Sequence, residues 1–426
     1  MNAIFDTATM TPAPDTLIGL RHLLRAAHQN EDLRPLGAEL INHLQSQPDD
    51  ANALMDLSLV LQLIGDHALA MTIQSEALQA RQLYHLPTLR NGEARLRVLA
   101  IMVSGDLMAN TPLECLLGNS DVALDALYVT PENPLPQAVP EHDVLFIAVG
   151  ESDRTQPVLE HLRALAAIWP RPVLNQPDRL QQLSRDRAAS LLASTPGVCM
   201  PPTLRMDRQV LADIASGQAA ISSVLGEGAF PIIVRPLGSH AGKGLEKIGD
   251  AAELASYLAQ TDEPAFYVSY FIDYRNADGQ FRKYRLVLIE GRAYVCHVGI
   301  SEHWMIHYLN AGMAESAAKR DEEAAIMRDF DDTFALRHKD ALALIQERLG
   351  LDYVGLDCAE TPHGELLVFE ADTAMVVHDI DPVDLYPYKQ PQMHKIFAAF
   401  RTMLINASQA GHADRADAPD AAAIDG

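Results

Sequence analysis

Cysteine is scarce and unpatterned in this chain. Its four residues, Cys115, Cys199, Cys296 and Cys358, include no CxxC pair. That excludes a disulfide framework or a thiolate zinc knuckle and suits thiols kept reduced in a cytoplasm. Positive charge is scarce too. Lys and Arg number 33 against 57 Asp and Glu, a formal net charge of −24. That is the wrong sign for a nucleic-acid partner or for an anionic membrane surface. No apolar run approaches the roughly 20 residues of a membrane span. Met1-Asn-Ala-Ile-Phe-Asp6 lacks a basic region followed by an apolar core, so no secretory signal is expected. What is present is apolar mass: 48% of 426 residues are hydrophobic. The expectation is a soluble cytoplasmic protein of two or three domains.

Periodicity divides the chain. Up to about residue 90 only helical spacing appears, as in Leu17, Leu20, Leu23 and Leu24, then Leu40, Ile41 and Leu44. Leu57, Leu61, Gly65, Ala70 and Ala77 stand at the spacings of a tetratricopeptide repeat, which this segment resembles. Such a module either presents a face to a protein or peptide partner or caps its own enzyme. Over 95–200, apolar runs at 98–103, 122–129, 144–149 and 173–175 alternate with helical stretches, the mark of a small α/β domain. From 201 to 406 the pattern is α+β. Strands are expected at 230–235 and 266–272, a hairpin at 284–300, a long helical region over 314–349 and a last helix over 391–406. Residues 407–426 read as a disordered tail.

Two segments carry the chemistry. Phe230-Pro-Ile-Ile-Val-Arg-Pro-Leu-Gly-Ser-His-Ala-Gly-Lys-Gly244 is a buried-type strand ending at Arg235 and running into a glycine loop. Gly238, Ser239, Gly242 and Lys243 can aim backbone N–H groups, a hydroxyl and a cation at phosphates. No GK[ST] opens a helix there, so it is not a Walker loop. The second segment, Asp357 to Asp372, reads as strand, turn at Pro362-His363-Gly364, and strand. Glu370 and Asp372, two apart, share a face, and Asp357 lies on the facing strand. Hard oxygens so placed suit magnesium bridging phosphates. Between these segments Phe266–Tyr274 is an apolar strand running into a polar linker. Its backbone at Tyr267, Ser269, Tyr270 and Phe271 can read an adenine edge while Asp273 reaches a ribose. Arg285 begins a further strand, placed to face a phosphate or acyl group. His303, His307 and His378 are read as polar lining of an acceptor pocket; their spacing fits no zinc site.

The order of these elements resembles the ATP-grasp superfamily, in the branch of glutathione synthetase and the ribosomal-protein glutamate ligases, from about Leu96 to Leu404. Asn175-Gln-Pro177 with Arg185-Asp-Arg187 resembles its asparagine-x-proline and aspartate-lysine pattern, Arg187 standing for the lysine. Pro231-Ile-Ile-Val-Arg-Pro236 resembles the strand whose lysine contacts phosphate, here Arg235. Tyr284-Arg285 and the stretch from Trp304 to Asn310-Ala-Gly312 resemble its arginine and its tryptophan/asparagine loop. The resemblance implies an ATP-grasp fold preceded by a small α/β domain and an N-terminal all-α repeat domain. It implies ATP and two Mg²⁺ ions as cofactors, with Asp357, Glu370 and Asp372 as metal ligands. Arg187, Arg235, Lys243 and Arg285 would surround phosphates, with Arg285, Asn310 and Lys243 in catalysis. The reaction implied is carboxylate–amine ligation through an acylphosphate, with small-molecule or peptide substrates and room for a homodimer. A phosphotransferase and a non-catalytic nucleotide-binding scaffold are the alternatives. Four positions depart from the pattern: arginine replaces lysine at 187 and 235, Asp372 replaces an asparagine, and the fourth lies in the hinge. Tyr270 stands where an acidic hinge residue is usual.

Overall fold

Aspartates punctuate the first helices. The N-terminal part forms α1 (Leu20–His28), α2 (Arg34–Ser46), α3 (Ala51–Leu63) and α4 (His67–Ala80). Asp50 accepts the N–H groups of Asn52 and Ala53 at 3.0 and 3.2 Å and so starts α3. Asp66 does the same for α4, after a turn at Gly65 with φ of 92°. Leu23, Leu40, Leu57, Val60 and Ala70 share one buried cluster among these helices. The structure is a computed structural model that describes residues 16–90, 92–130, 134–136, 138–226, 229–239 and 242–416. The first fifteen residues of the expected helical module, His240 and Ala241 of the glycine loop, and residues 417–426 of the expected tail lie outside these.

Two compact units make up the chain. The first holds the described residues up to Gly150, Thr155–Leu180 and those from Thr373 onward. Its sheet has the order β1-β3-β2-β4-β5, with β1 (Leu83–Leu86), β2 (Leu96–Met102), β3 (Val122–Tyr128), β4 (Val144–Ile147) and β5 (Val173–Leu174). All pairs are parallel except β1 with β3. Every residue of β4 is buried, and so are Val98–Met102 of β2, as continuous apolar runs require of parallel strands. Around the sheet lie α5 (Leu113–Leu117), α6 (Gln156–Ala166), α7 (Pro177–Leu180) and the C-terminal helix, Lys389–Ala416.

The second unit comprises Glu151–Arg154 and Gln181–Asp372. It contains α8 (Arg185–Leu192), β6 (Val198–Cys199), β7 (Thr203–Asp207), α9 (Arg208–Ala215), α10 (Ser222–Leu225), β8 (Ile232–Pro236), β9 (Glu246–Ile248), α11 (Ala251–Ala259) and β10 (Ala265–Tyr270). Then come β11 (Phe281–Ile289), β12 (Arg292–Ser301), α12 (Ala317–Arg328), α13 (Phe334–Arg337), α14 (Lys339–Leu349), β13 (Tyr353–Glu360) and β14 (Leu366–Asp372). One sheet runs β7-β10-β8-β9, and the other β12-β11-β13-β14-β6. Phe266, Val268, Ile232 and Val234 bury the first sheet's inner face with Leu211 of α9 and Leu254 of α11.

Several boundaries differ from expectation. The chain's units are cut at 150–155, 180 and 372, not at 90 and 200, and the segment after Thr373 joins the first unit. The C-terminal helix runs to Ala416, so residues 407–416 are helical rather than the start of a disordered tail. The helical region over 314–349 is three helices, broken around Asp329–Thr333 and at His338. Strands β1, β6, β7 and β9 had no alternating pattern long enough to announce them. No described helix is long and apolar enough to cross a membrane.

The start of α1 is held by two buried acids. Helix-initial N–H groups have no partner within the helix. Asp56 accepts those of Ile18 and Gly19 at 2.8 and 3.1 Å, and Glu114 those of Leu20 and Arg21, both at 3.0 Å. Gly19 is required here, since φ is 84° and a Cβ would stand 2.4 Å from a Glu114 oxygen. Burial pushes both carboxyls up to about 7, outweighing the stabilising N–H bonds. A carboxyl that holds its proton more tightly when folded adds stability below its unfolded pKa and loses it as pH rises through the folded value. The stability of the unsubstituted protein relative to Asp56→Asn should therefore fall by on the order of 2 kcal/mol between about pH 4 and 7. Urea unfolding of both proteins across that range measures it, and parallel profiles would refute the buried-acid assignment.

Candidate active site

An antiparallel pair of strands places residues directly opposite one another on the same face, their Cβ atoms about 5 Å apart. In the second unit Arg285 of β11 stands opposite Asp357 of β13, and Asp357 stands opposite Glu370 of β14. Two carboxylates so opposed repel, and Asp357 is only 2% exposed. Cations of the chain make the arrangement tenable. Arg285 grips Asp357 with two bonds, Nε at 2.8 Å and Nη2 at 3.0 Å. Lys283, two residues earlier on the same face, brings Nζ to 2.6 Å from Oδ2, the oxygen that also accepts Arg285 Nη2. Arg185 of α8 donates to Glu370. Burial alone would raise both carboxyls. The charges of Arg285 and Lys283 overcome it and hold Asp357 well below the usual range, and Arg185 does the same for Glu370.

Asp372 lies on β14 opposite Gly355, two residues beyond Glu370. The three carboxylates expected to bind metal thus come from one strand pair, but they do not converge. Among the described residues no group of three or more His, Cys, Asp or Glu side chains could hold a metal ion. In kind the donors fit magnesium, being hard carboxylate oxygens. Arg285 and Lys283 pair with Asp357, and Arg185 pairs with Glu370.

Arg235 ends β8 opposite Tyr267 of β10 and is 8% exposed. Its guanidinium donates to the hydroxyl and the carbonyl of Ser239, the first polar residue of the glycine loop. It makes no ion pair among the described residues. Burial, then the nearby Arg185 charge, brings its pKa down to about 10. Gly238, Gly242 and Gly244 all take positive φ, between 67° and 75°, so the loop reverses where other residues would be strained. Lys243 is exposed on it. Tyr267 accepts a hydrogen bond from Arg205 at 2.9 Å, and burial pushes its phenol up to about 12. Ser269 shares its face. Phe271 packs edge-on against Trp304, with the Lys247 ammonium 3.8 Å from its ring centre.

Other expected residues fall elsewhere. Arg187 is exposed and donates to the Gln181 carbonyl at 2.8 Å; it is Arg185, one half-turn earlier on α8, that reaches the carboxylates. Tyr270 alternates to the inner face and packs on the helix-covered core. Asp273 is half-exposed and pairs with Arg275 at 2.9 Å. Asn310 accepts the His307 N–H at 3.0 Å and so caps a local 3₁₀ turn. His307 does border the cluster: burial, then Lys283 and Arg285, push it below its ordinary value, so it stays neutral. His303 is exposed, and His378 falls in the first unit. Sequence reasoning missed Lys283 and Arg185. The signal for Lys283 was its i, i+2 spacing from Arg285, which places both on one face.

No protein-family model matches the chain, and no curated protein matches it. Solved structures give distant likenesses. The VanG D-Ala:D-Ser ligase from Enterococcus faecalis is 16% identical with a TM-score of 0.45, over 74% of this chain and 99% of that one. A D-alanine–D-alanine ligase from Bacillus anthracis complexed with ATP is 14% identical with a TM-score of 0.44, over 74% and 99%. The D-alanine–D-alanine ligase from Coxiella burnetii is 11% identical with a TM-score of 0.44, over 75% and 96%. At these scores neither a fold family nor an activity transfers to this chain.

Removing one partner of a buried pair strands the other charge. Arg285→Met should therefore cost about 3 kcal/mol of unfolding free energy, with Lys283 keeping it from being larger. The triple variant Lys283→Met/Arg285→Met/Asp357→Leu, which leaves no charge of the cluster stranded at Asp357, should recover most of that loss. Urea denaturation of the two proteins tests this, and a triple variant no more stable than the single would contradict it.

Proposed function

We propose that this chain is an ATP-dependent carboxylate–amine ligase of the ATP-grasp type. The observation that carries the reading is Arg235, a buried guanidinium facing the glycine loop that makes no direct ion pair among the described residues, Glu370 acting on it only at longer range. Burying a charge without a counter-ion is costly. A phosphate would supply the missing charge, and a planar guanidinium is shaped to meet two of its oxygens at once. The loop after it can add N–H groups to the same phosphates, and Lys243 is free to close over them.

The chemistry follows from charge placement. A substrate carboxylate oxygen attacks the γ-phosphorus, the bond to the bridging oxygen of ADP breaks, and an acylphosphate forms. An amine nitrogen then attacks the acyl carbon, loses a proton, and expels phosphate. Arg235 and Lys243 would hold the transferring phosphoryl group, and Arg285 with Lys283 would meet negative charge that develops beside Asp357. Magnesium accompanying the nucleotide would have to displace Arg285, Lys283 and Arg185 from Asp357 and Glu370, and would then neutralise the phosphates. Neutral His307, bordering the cations, suits the lining of an acceptor pocket. The substrates are a carboxylate and an amine, small molecules or peptides. The tetratricopeptide-like helices are proposed as a face for a protein or peptide partner.

Phosphorus NMR of the protein with MgATP and a pool of amino acids, peptides and other carboxylates tests the reading. ADP and phosphate should appear only with the pool, and Arg235→Met should lower kcat/KM at least about 100-fold, near 3 kcal/mol of transition-state stabilisation. AMP with pyrophosphate would overturn the acylphosphate route. ATP left intact by every pool would favour the non-catalytic scaffold.

A further inference from the structure

The first unit contains a cleft of about 680 Å³, a volume within the range of small-molecule sites. It lies where β2 and β3 begin, between the segments 90–95 and 116–121, and is closed by one face of the C-terminal helix. Ligands of open α/β sheets ordinarily sit at the other end, beyond the carboxyl ends of the strands. The charge on its walls runs against the chain as a whole.

Two carboxylates there each serve two arginines. Asp121 accepts hydrogen bonds from Nε and Nη2 of Arg401, at 2.5 and 2.6 Å, and also has Arg95 at 3.8 Å. Asp379 takes Arg21 at 3.1 Å and Arg25 at 3.2 Å. Arg90 adds a further exposed cation to the lining, and Glu93 an exposed anion. In a protein of net charge −24, this local surplus of guanidinium is the exception.

Arg21 is the informative member. It is 5% exposed, and its Nε–H has no hydrogen-bond partner among the described residues. Buried donors are almost always satisfied. The side chain passes directly over Gly118, where a Cβ would stand 2.3 Å from its Cδ and 2.5 Å from its Nε. A side chain at 118 would therefore displace the guanidinium from the cleft wall. Leu116 and Phe397 give the same cleft an apolar side.

We propose that this cleft binds a small anionic molecule, one whose phosphate or carboxylate groups neutralise the shared arginines while an apolar body lies along Leu116 and Phe397. The site is separate from the phosphate site proposed at Arg235, since its lining comes wholly from the first unit. Two anionic ends suit it, one at Arg21 and one near Arg90 and Arg401.

Calorimetric titration of the full chain carrying Arg235→Met, which disables the other phosphate site, tests this with inorganic pyrophosphate and, separately, glutarate. At least one anion should bind; the pyrophosphate arm or the glutarate arm responding assigns phosphate or carboxylate as the group recognised. Arg90→Glu, at an exposed position, should weaken that binding about tenfold or more, equal to 1.4 kcal/mol. Asp121→Asn should tighten it several-fold by releasing Arg401 and Arg95. Absence of binding by both anions, or binding indifferent to both substitutions, would overturn the proposal. Turnover of the unsubstituted protein is measured independently, so failure here and failure of the ligase reading are told apart.

Discussion

The ion pairing of Asp357 is the constraint on which the second unit's larger sheet depends. A carboxylate 2% exposed on a central strand is tolerable only with cations at bonding distance. Arg285 and Lys283 both come from β11, so the register of β11 on β13 cannot slip by one residue without turning them to the other face. The register of β14 on β13 is bound by the same logic, because Glu370 opposes Asp357 and needs Arg185. Irregularities in the ladders occur at just these places, between Arg285 and Leu286 and between Asp357 and Cys358. Bulges of this kind re-aim side chains, and here they flank the charged face.

Within the unit, cations are used in two ways. Arg285, Lys283 and Arg185 are committed to carboxylates. Arg235 is not, although it is the least solvent-exposed of the four, and its two hydrogen bonds go to uncharged oxygens of Ser239. A protein under selection only for stability has no use for such a guanidinium, since an apolar residue of similar volume would serve. The contrast between committed and uncommitted cations separates the part of the face that is internally balanced from the part where we propose that a phosphate binds.

Much of the fold was legible in the chain. The apolar runs of β2, β3 and β4 and the hairpin of β11 and β12 have the periods that burial on one or two faces imposes. The Pro362-His363-Gly364 turn announced that Asp357 and Glu370 would face each other. Short strands such as β6 and β9, two and three residues long, were not legible, because so few residues carry no period. The breaks at Asp329–Thr333 and His338 were hidden for a related reason: no proline or glycine marks them, and polar residues fit an exposed helix equally well.

For the site, local pattern determined residue type and face. Arg235 at the end of an apolar strand, the glycines after it, and carboxylates two apart on β14 follow from sequence spacing alone, since side-chain direction in a strand has period two. Which cation meets which carboxylate was decided by tertiary structure. Arg185 rather than Arg187 reaches Glu370 because the angle at which α8 packs against β14 is set by contacts far apart in the chain. Tyr270 turned inward because the core beneath β10 needed its ring, and Asn310 turned to its own backbone. Long-range ion pairs, unlike periodicity, are a property of the packed chain, and no short window of sequence contains both Arg285 and Asp357 or both Arg185 and Glu370.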